Sequence, residues 1–324
     1  MCTAISYKTK DHYFGRTLDF GYSYEETVTI CPRRYPLDFR RMPGMEYHYA
    51  MIGMAYVVNE YPLFYEATNE KGLGMAGLRF LDNAYYGEEK EGKDNLASFE
   101  FIPWILGSCE TVEEARRRIE NVNLVNIGFS EALPPSPLHW MISDRDMSIT
   151  VEAVKDGIHI YDNPVGILTN NPPFPQQMFS LNNYRSLSAK TLDNTFCSKL
   201  PLDVYSLGMG GLGLPGDLSS NSRFVRAAFT KLNSVCGDSE EESVSQFFHI
   251  MGSVAQTRGC VEFEGDEYEV TIYTSCCNTD KGIFYYTTYE NPGITGISMY
   301  NRDLNGMRLY KYPMRRKMQV MMER

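Results

Sequence analysis

The chain has no apolar run approaching the roughly 20 residues needed to cross a bilayer. Its first residues, MCTAISYKTKDHYF, lack the basic-then-apolar layout of a secretory leader. Basic side chains are outnumbered, 31 Lys and Arg against 41 Asp and Glu, for a formal net charge of -10. A field of that sign repels nucleic acid and anionic membrane surfaces, so neither is expected as a partner and small molecules are. A cytoplasmic location is expected. Low-complexity linkers, solenoid-length repeats and long charge runs are also missing, so residues 1–324 read as one continuous domain.

Cysteine is sparse and scattered: Cys2, Cys31, Cys109, Cys197, Cys236, Cys260, Cys276 and Cys277. None shows zinc-type spacing. Adjacent residues of a strand point to opposite faces, so Cys276 and Cys277 cannot share one metal. Without a leader, a disulfide framework is not expected, and seven of the eight read as buried free thiols. Cys2 differs by position alone.

What the chain does contain is apolar and aromatic side chains, 43% hydrophobic in all, enough for a sizeable core. Short strands are predicted over Thr3 to Lys8, Tyr13 to Asp19, Thr27 to Cys31 and Tyr49 to Val58, and on both sides of the Asn69-Glu70-Lys71-Gly72 turn. Phe99 to Gly107 is apolar enough to be buried. Thr111 with Glu114 predicts a capping box opening a helix with Val112, Ala115, Ile119 and Val122 on one face. Strands return over Leu138 to Ser143, Ser148 to Val154, Ile158 to Tyr161 and Val165 to Leu168. Helices over Ser222 to Leu232 and Glu241 to Val254 precede strands over Tyr268 to Cys276 and Gly282 to Tyr289, with Asp280-Lys281-Gly282 as their turn. Blocks of strands, helices and strands again imply an α+β fold of antiparallel sheets with helices on their outer faces.

If Met1 is trimmed, Cys2 carries a thiol and a free α-amine on one residue, a nucleophile with its own base. An unperturbed α-amine titrates at about 7.7 to 8.0, close to working pH, so it can take the thiol proton and return it to a leaving amine. Arg16 and Asp19, in FGRTLDF, lie on the strand that a turn at Lys10-Asp11-His12 folds back beside the first. Their spacing puts them on opposite faces, so a bulge or strand end is needed for both to reach Cys2. A surface ion pair accounts for that spacing equally well. Intact Met1 would leave Cys2 an ordinary buried thiol.

The segments MCTAISYKTKDHYFGRTLDF, NEKGLGMAGL, PLHWMISD, GILTNNP, GLPGDLSSNSRFVRAAF and YTSCCNTDKGIFYYTTYEN together resemble the choloylglycine hydrolases. That family of N-terminal-nucleophile hydrolases comprises bile salt hydrolases and penicillin V acylases. The resemblance covers almost the whole chain and implies a four-layer αββα sandwich assembled as a homotetramer. It implies hydrolysis of the amide of glycine- or taurine-conjugated bile salts through a thioester, with no metal or organic cofactor. Penicillin V or another aryl-acetyl amide is the alternative substrate, and a non-catalytic bile-acid or lipid-binding relative the alternative class.

Residue by residue, Cys2 matches the nucleophile, Arg16 and Asp19 the partners of its thiol and amine, and Asn170 the side-chain donor of the oxyanion hole. Arg223 matches a second active-site arginine. Each donor matters because removing one fixed oxyanion donor typically costs about 2.7 to 4 kcal/mol in the barrier. Asn170 also suits a plain turn before Asn171-Pro172, and Arg223 a plain ion pair. Arg79 departs from the family pattern, which carries asparagine in bile salt hydrolases and tyrosine in penicillin V acylases. Its backbone N–H still offers the second oxyanion donor, while its side chain either meets the anionic end of the leaving group or turns to solvent. Leu18, Val58, Tyr65, Phe129, Leu133 and Leu138 match positions lining the steroid site, and core packing is the other role open to them.

Overall fold

A polar run, Lys8 to His12, separates two apolar-rich stretches at the start of the chain, and they form a hairpin, β1 (Cys2–Lys8) with β2 (His12–Phe20), in the computed structural model. The structure describes residues 1–263, 265 and 267–323. Next come β3 (Thr27–Cys31), β4 (Met51–Val58), β5 (Tyr61–Asn69) and β6 (Gly74–Arg79). A parallel pair, β7 (Asp94–Ala97) and β8 (Val122–Val125), brackets helices α1 (Phe101–Ser108) and α2 (Val112–Ile119). Strands β9 (Leu138–Ser143), β10 (Ser148–Val154), β11 (Gly157–Asp162) and β12 (Ile167–Leu168) lead into α3 (Phe174–Ser180), α4 (Ser220–Asn233) and α5 (Glu240–Gly252). The chain closes with β13 (Glu262–Phe263), β14 (Glu267–Tyr268), β15 (Val270–Asn278), β16 (Ile283–Thr288), β17 (Thr295–Ser298) and β18 (Tyr310–Pro313).

Two large antiparallel sheets result, one in the order β12-β1-β2-β15-β16-β17 and one in the order β11-β10-β9-β6-β5-β4-β3-β18, and β13 pairs with β14 in a small third one. One core joins the inner faces of both sheets, through Phe14, Ile52 and Met141, and continues through the first sheet to α4 and α5 at Phe224, Phe247 and Met251. A second core lies between the longer sheet and α1 and α2, centred on Trp104, Phe101, Ala115 and Trp140. Helices therefore cover both outer faces, an αββα stack. The strand pattern forces it, since β1, β2 and β15 are buried along nearly their whole length and must be covered on both faces.

Some local expectations shift. Thr111 Oγ1 accepts the Glu114 N–H, but the Glu114 carboxylate accepts from Glu110 N at 2.7 Å, so the box is half-formed. A complete box opens α5 instead, between Ser239 and Glu242. Helix α2 stops at Ile119, and Val122 belongs to β8. The strand expected over Val165 to Leu168 shrinks to Ile167–Leu168 because Asn163 Oδ1 caps the Gly166 N–H, and Gly166 turns at φ 58°. Near the C-terminus, Glu269 N–H turns to Val261 O and divides the strand expected from Tyr268 into β14 and β15.

Candidate active site

Cys2 pairs with Leu18 and Ala4 with Arg16 across the β1–β2 hairpin, which puts the thiol and the Arg16 side chain on the face between the sheets. Arg16 is 1% exposed, and its guanidinium fork is fully engaged. Nη2 donates to Cys2 Sγ, Nη1 to the carbonyls of Gly77 and Tyr65, and Nε to that of Thr17. Glu66, from β5 of the facing sheet, lies 3.8 Å from Nε and accepts from Tyr273 Oη and Ser275 Oγ, each at 2.8 Å. Burial alone would lower the Arg16 pKa, but the negative groups around it, Cys2 first, raise it. Glu66 is pushed up to about 7 by burial, against the pull of Arg16.

Asp19 lies on the other face of β2, so Arg16 and Asp19 flank Cys2 from opposite sides with no bulge between them. Met1 pairs with Asp19 through Met1 N to Asp19 O (2.7 Å) and Asp19 N to Met1 O (3.0 Å), which places Asp19 at the strand end beside Cys2. Its carboxylate accepts from Thr271 Oγ1 at 2.7 Å and Thr17 Oγ1 at 3.1 Å, with Arg223 Nη1 at 4.0 Å. A register shift between Thr271 and Tyr273 on β15 falls opposite Asp19 and Leu18. Burial raises the Asp19 pKa, opposed by Arg223 and the terminal ammonium.

Arg223 arrives on α4 and closes the back of the site, donating to Cys2 O (2.6 Å), Thr3 Oγ1 (2.7 Å) and Asn170 Oδ1 (2.8 Å). Its pKa is lowered by burial, against Asp19 and Cys2. Asn170 Oδ1 also accepts from Cys2 N at 2.8 Å, and Nδ2 donates to Arg79 O at 2.8 Å, leaving its second hydrogen uncommitted. Phe80 N–H bonds Pro137 O in the β6–β9 ladder, so the backbone groups of Arg79 face the opposite edge of β6, toward Asn170. The last β5–β6 pair is Glu66 with Ala76, which leaves the Arg79 N–H beyond that ladder. The Arg79 side chain is exposed and makes no hydrogen bond or ion pair among the described residues.

A cavity of about 430 Å³ opens from Cys2 and Arg16 and is lined chiefly by apolar side chains. Leu18, Tyr65, Phe129, Leu133 and Leu138 line it, together with Arg79. Val58 does not: it pairs with Tyr61 at the tip of the β4–β5 hairpin, and Tyr56, on the same strand face, lines the cavity in its place. Phe99 and Phe129 pack edge to face at 5.4 Å on the rim, with the Arg40 guanidinium over both rings.

Sequence reasoning missed Glu66, Tyr273, Ser275, Thr271 and Glu269. The signal for Glu66 was a lone carboxylate inside an apolar strand run next to NEKGLGMAGL, a pattern that calls for a buried partner. His139, in PLHWMISD, was also passed over. It stacks on Phe80 at 4.3 Å, while its ring nitrogens meet Glu152 Oε1 (3.1 Å) and Thr169 O (2.8 Å). It thereby braces the residues next to both Arg79 and Asn170. All eight cysteines are free, but of the seven expected to be buried only Cys31, Cys109, Cys276 and Cys277 are: Cys236 is half-buried, and Cys197 and Cys260 lie on exposed loops outside the cores.

Two stacked antiparallel sheets between helical layers, with a cysteine on the first strand facing an apolar cavity, define the architecture of an N-terminal-nucleophile hydrolase. The model of linear amide C–N hydrolases, choloylglycine hydrolase family, matches residues 2–312, and the chain belongs to that family. It is 55% identical to a bile salt hydrolase/transferase of Lactiplantibacillus plantarum, over 97% of each chain. It is 38% identical to a bile salt hydrolase/transferase of Clostridium perfringens, over 96% of this chain and 97% of the other. Among solved structures, the C2A mutant of the conjugated bile acid hydrolase from Clostridium perfringens superposes with a TM-score of 0.92 at 35% identity, covering 99% of each chain. A penicillin V acylase from Agrobacterium tumefaciens shares the fold at a TM-score of 0.74 and 21% identity, over 96% of this chain and 90% of the other.

Proposed function

We propose that this chain hydrolyses the amide bond of glycine- or taurine-conjugated bile salts, with Cys2 as nucleophile once Met1 is removed. The observation that carries the reading is the contact of Arg16 Nη2 with Cys2 Sγ at the inner end of an apolar cavity. A thiolate at Sγ gains the buried positive charge of Arg16, while the trimmed α-amine, beside Asn170 Oδ1, takes the thiol proton and hands it to the leaving nitrogen. The Arg79 N–H and the uncommitted Asn170 hydrogen supply the oxyanion donors. Water then resolves the thioester.

Seventeen of the 25 cavity-lining residues are Leu, Ile, Phe, Tyr, Ala, Pro or Met, suited to a bulky apolar acyl group. A thioester can also be resolved by an amine, as the names of two relatives, hydrolase/transferase, say of those proteins. Transfer is our second reading, favoured by the buried Glu269 carboxylate, which pairs with an ammonium one residue from Cys2.

The chain works as a single cytoplasmic domain and assembles as a homotetramer on this reading. Support for assembly comes from the exposed apolar side chains Phe196, Leu200, Leu202, Val204, Tyr205 and Leu207, which a monomer would leave in water. Among the described residues, no helix is long and apolar enough to cross a membrane. Rates on glycocholate, taurocholate and penicillin V test the reading: hydrolysis of either bile salt above penicillin V supports it, and no hydrolysis of either rejects it. Intact-mass measurement of active protein must show loss of Met1, and sedimentation velocity reads the tetramer.

A further inference from the structure

Glu269 is a buried carboxylate with one oxygen on the Met1 ammonium, at 2.5 Å. The other, Oε2, has no hydrogen-bond partner among the described residues. Met1 is seated as an extra residue of β1: its ammonium donates to Asp19 O, and its carbonyl accepts from Asp19 N–H. Removing Met1, on the reading above, frees three groups at once, the Glu269 carboxylate, the Asp19 carbonyl and the Asp19 N–H. Met1 lines the same cavity as Cys2, so the emptied space opens onto the site.

That space is matched to an ammonium, because an ammonium fills it now. An unpaired buried carboxylate is costly, which draws a cation back into the position. Its location is also chemically apt. The Met1 nitrogen is three covalent bonds from Cys2 N, about 3.5 Å in an extended residue. A leaving or entering amine that exchanges a proton with the Cys2 α-amine must lie close to that point.

We propose that the position vacated by Met1 is the amine subsite, where Glu269 and the Asp19 carbonyl hold the primary ammonium of an amino acid leaving the acyl group or entering to take it. This rests on the thioester reading above. In the entering direction the ammonium first gives one proton to the Glu269 carboxylate. The amine nitrogen then attacks the thioester carbonyl carbon, the new C–N bond forms and the C–S bond breaks. The second proton passes to the Cys2 α-amine, and the thiolate is released onto Arg16, so charge is conserved. Departure of the amine from a substrate runs through the same steps in reverse.

The test uses trimmed protein, taurocholate as acyl donor and free glycine as acceptor, with the glycocholate-to-cholate ratio read by mass spectrometry. A parallel series uses hydroxylamine, which is largely uncharged at neutral pH and has no call on a carboxylate. Glu269→Gln is expected to lower the glycine ratio at least about tenfold, the loss of one charge-assisted hydrogen bond. It leaves the hydroxylamine ratio and the rate of Cys2 alkylation by iodoacetamide unchanged, and Glu269→Asp recovers part of the glycine ratio. An equal fall with both acceptors, no fall with either, or a parent that releases cholate yet never forms glycocholate overturns the proposal. A parent that releases no cholate rejects the hydrolase reading instead. In that event the rise in Tm with added glycine, present in the parent and lost in Glu269→Gln, still supports the subsite, and its absence from the parent overturns it.

Discussion

The nest behind Cys2 and the cleft in front of it are built by opposite rules. Behind the thiol, charged side chains from β2, β5 and α4 are almost wholly buried, and nearly every donor has a named acceptor. In front, aromatic and prolyl side chains from loops line a cavity and make few directional bonds. Buried polar networks are intolerant because removing one member strands the others in low dielectric. Apolar linings tolerate change, since each residue contributes mainly area. On the proposed function, the nest governs whether chemistry happens, and the cleft governs on what.

That division can be broken by experiment. Cys2→Ala should lower kcat on glycocholate by about 10⁵- to 10⁶-fold while bile-salt affinity by calorimetry stays nearly the same. Parallel loss of affinity would mean that the nest also builds the cleft. Arg16→Met leaves Glu66 buried without its cation and should cost about 3 to 5 kcal/mol in urea unfolding. The double variant Arg16→Met/Glu66→Gln should recover part of that stability and none of the activity.

Glu66 also carries a pH signature. Its pKa rises from 4.5 to about 7 on folding, so its contribution is full below about pH 4.5 and is lost as pH climbs through 7. Glu66→Gln should remove a stability loss on the order of 3 kcal/mol between those limits, read from urea midpoints across pH. A parallel pH profile in parent and variant would sink this assignment.

On the cleft side, Phe129→Ala or Leu133→Ala should raise KM by about 5- to 30-fold, an apolar contact of 1 to 2 kcal/mol, with a smaller change in kcat. Val58→Ala, off the lining, should leave KM unchanged. The smallest effect is expected at Arg79, whose backbone N–H, and not its side chain, is the proposed oxyanion donor. If its side chain pairs with the anionic leaving group, Arg79→Asn lowers kcat/KM on conjugated bile salts several-fold, and a rise would dismiss that pairing.

The legibility of the two regions differs for the same physical reason. Cys2 stands out by its position, Arg16 and Asp19 by their place on the strand folding back beside it, and Asn170 and Arg223 through the segments that resemble the family. Glu66, Tyr273, Ser275 and Glu269 serve the same nest across more than 200 residues of chain, and nothing local marks a strand residue as facing an arginine on another sheet. In the cleft, Val58 and Tyr56 are both apolar strand residues two positions apart, and only the hairpin tip decides which one meets the cavity.

By itself, the sequence determined most strands and helices, an α+β arrangement of antiparallel sheets with helices outside, and a thiol at position 2 with arginine and aspartate on opposite faces of the neighbouring strand. Those follow from side-chain periodicity and local turns, which act within a few residues. Only the tertiary structure decided that the Arg16 guanidinium meets Cys2 Sγ, that Glu66 balances Arg16 from the facing sheet, and that Met1 covers the Glu269 carboxylate. Each of these depends on how sheets and strand ends meet in space, and burial there gives a charged group its energetic weight.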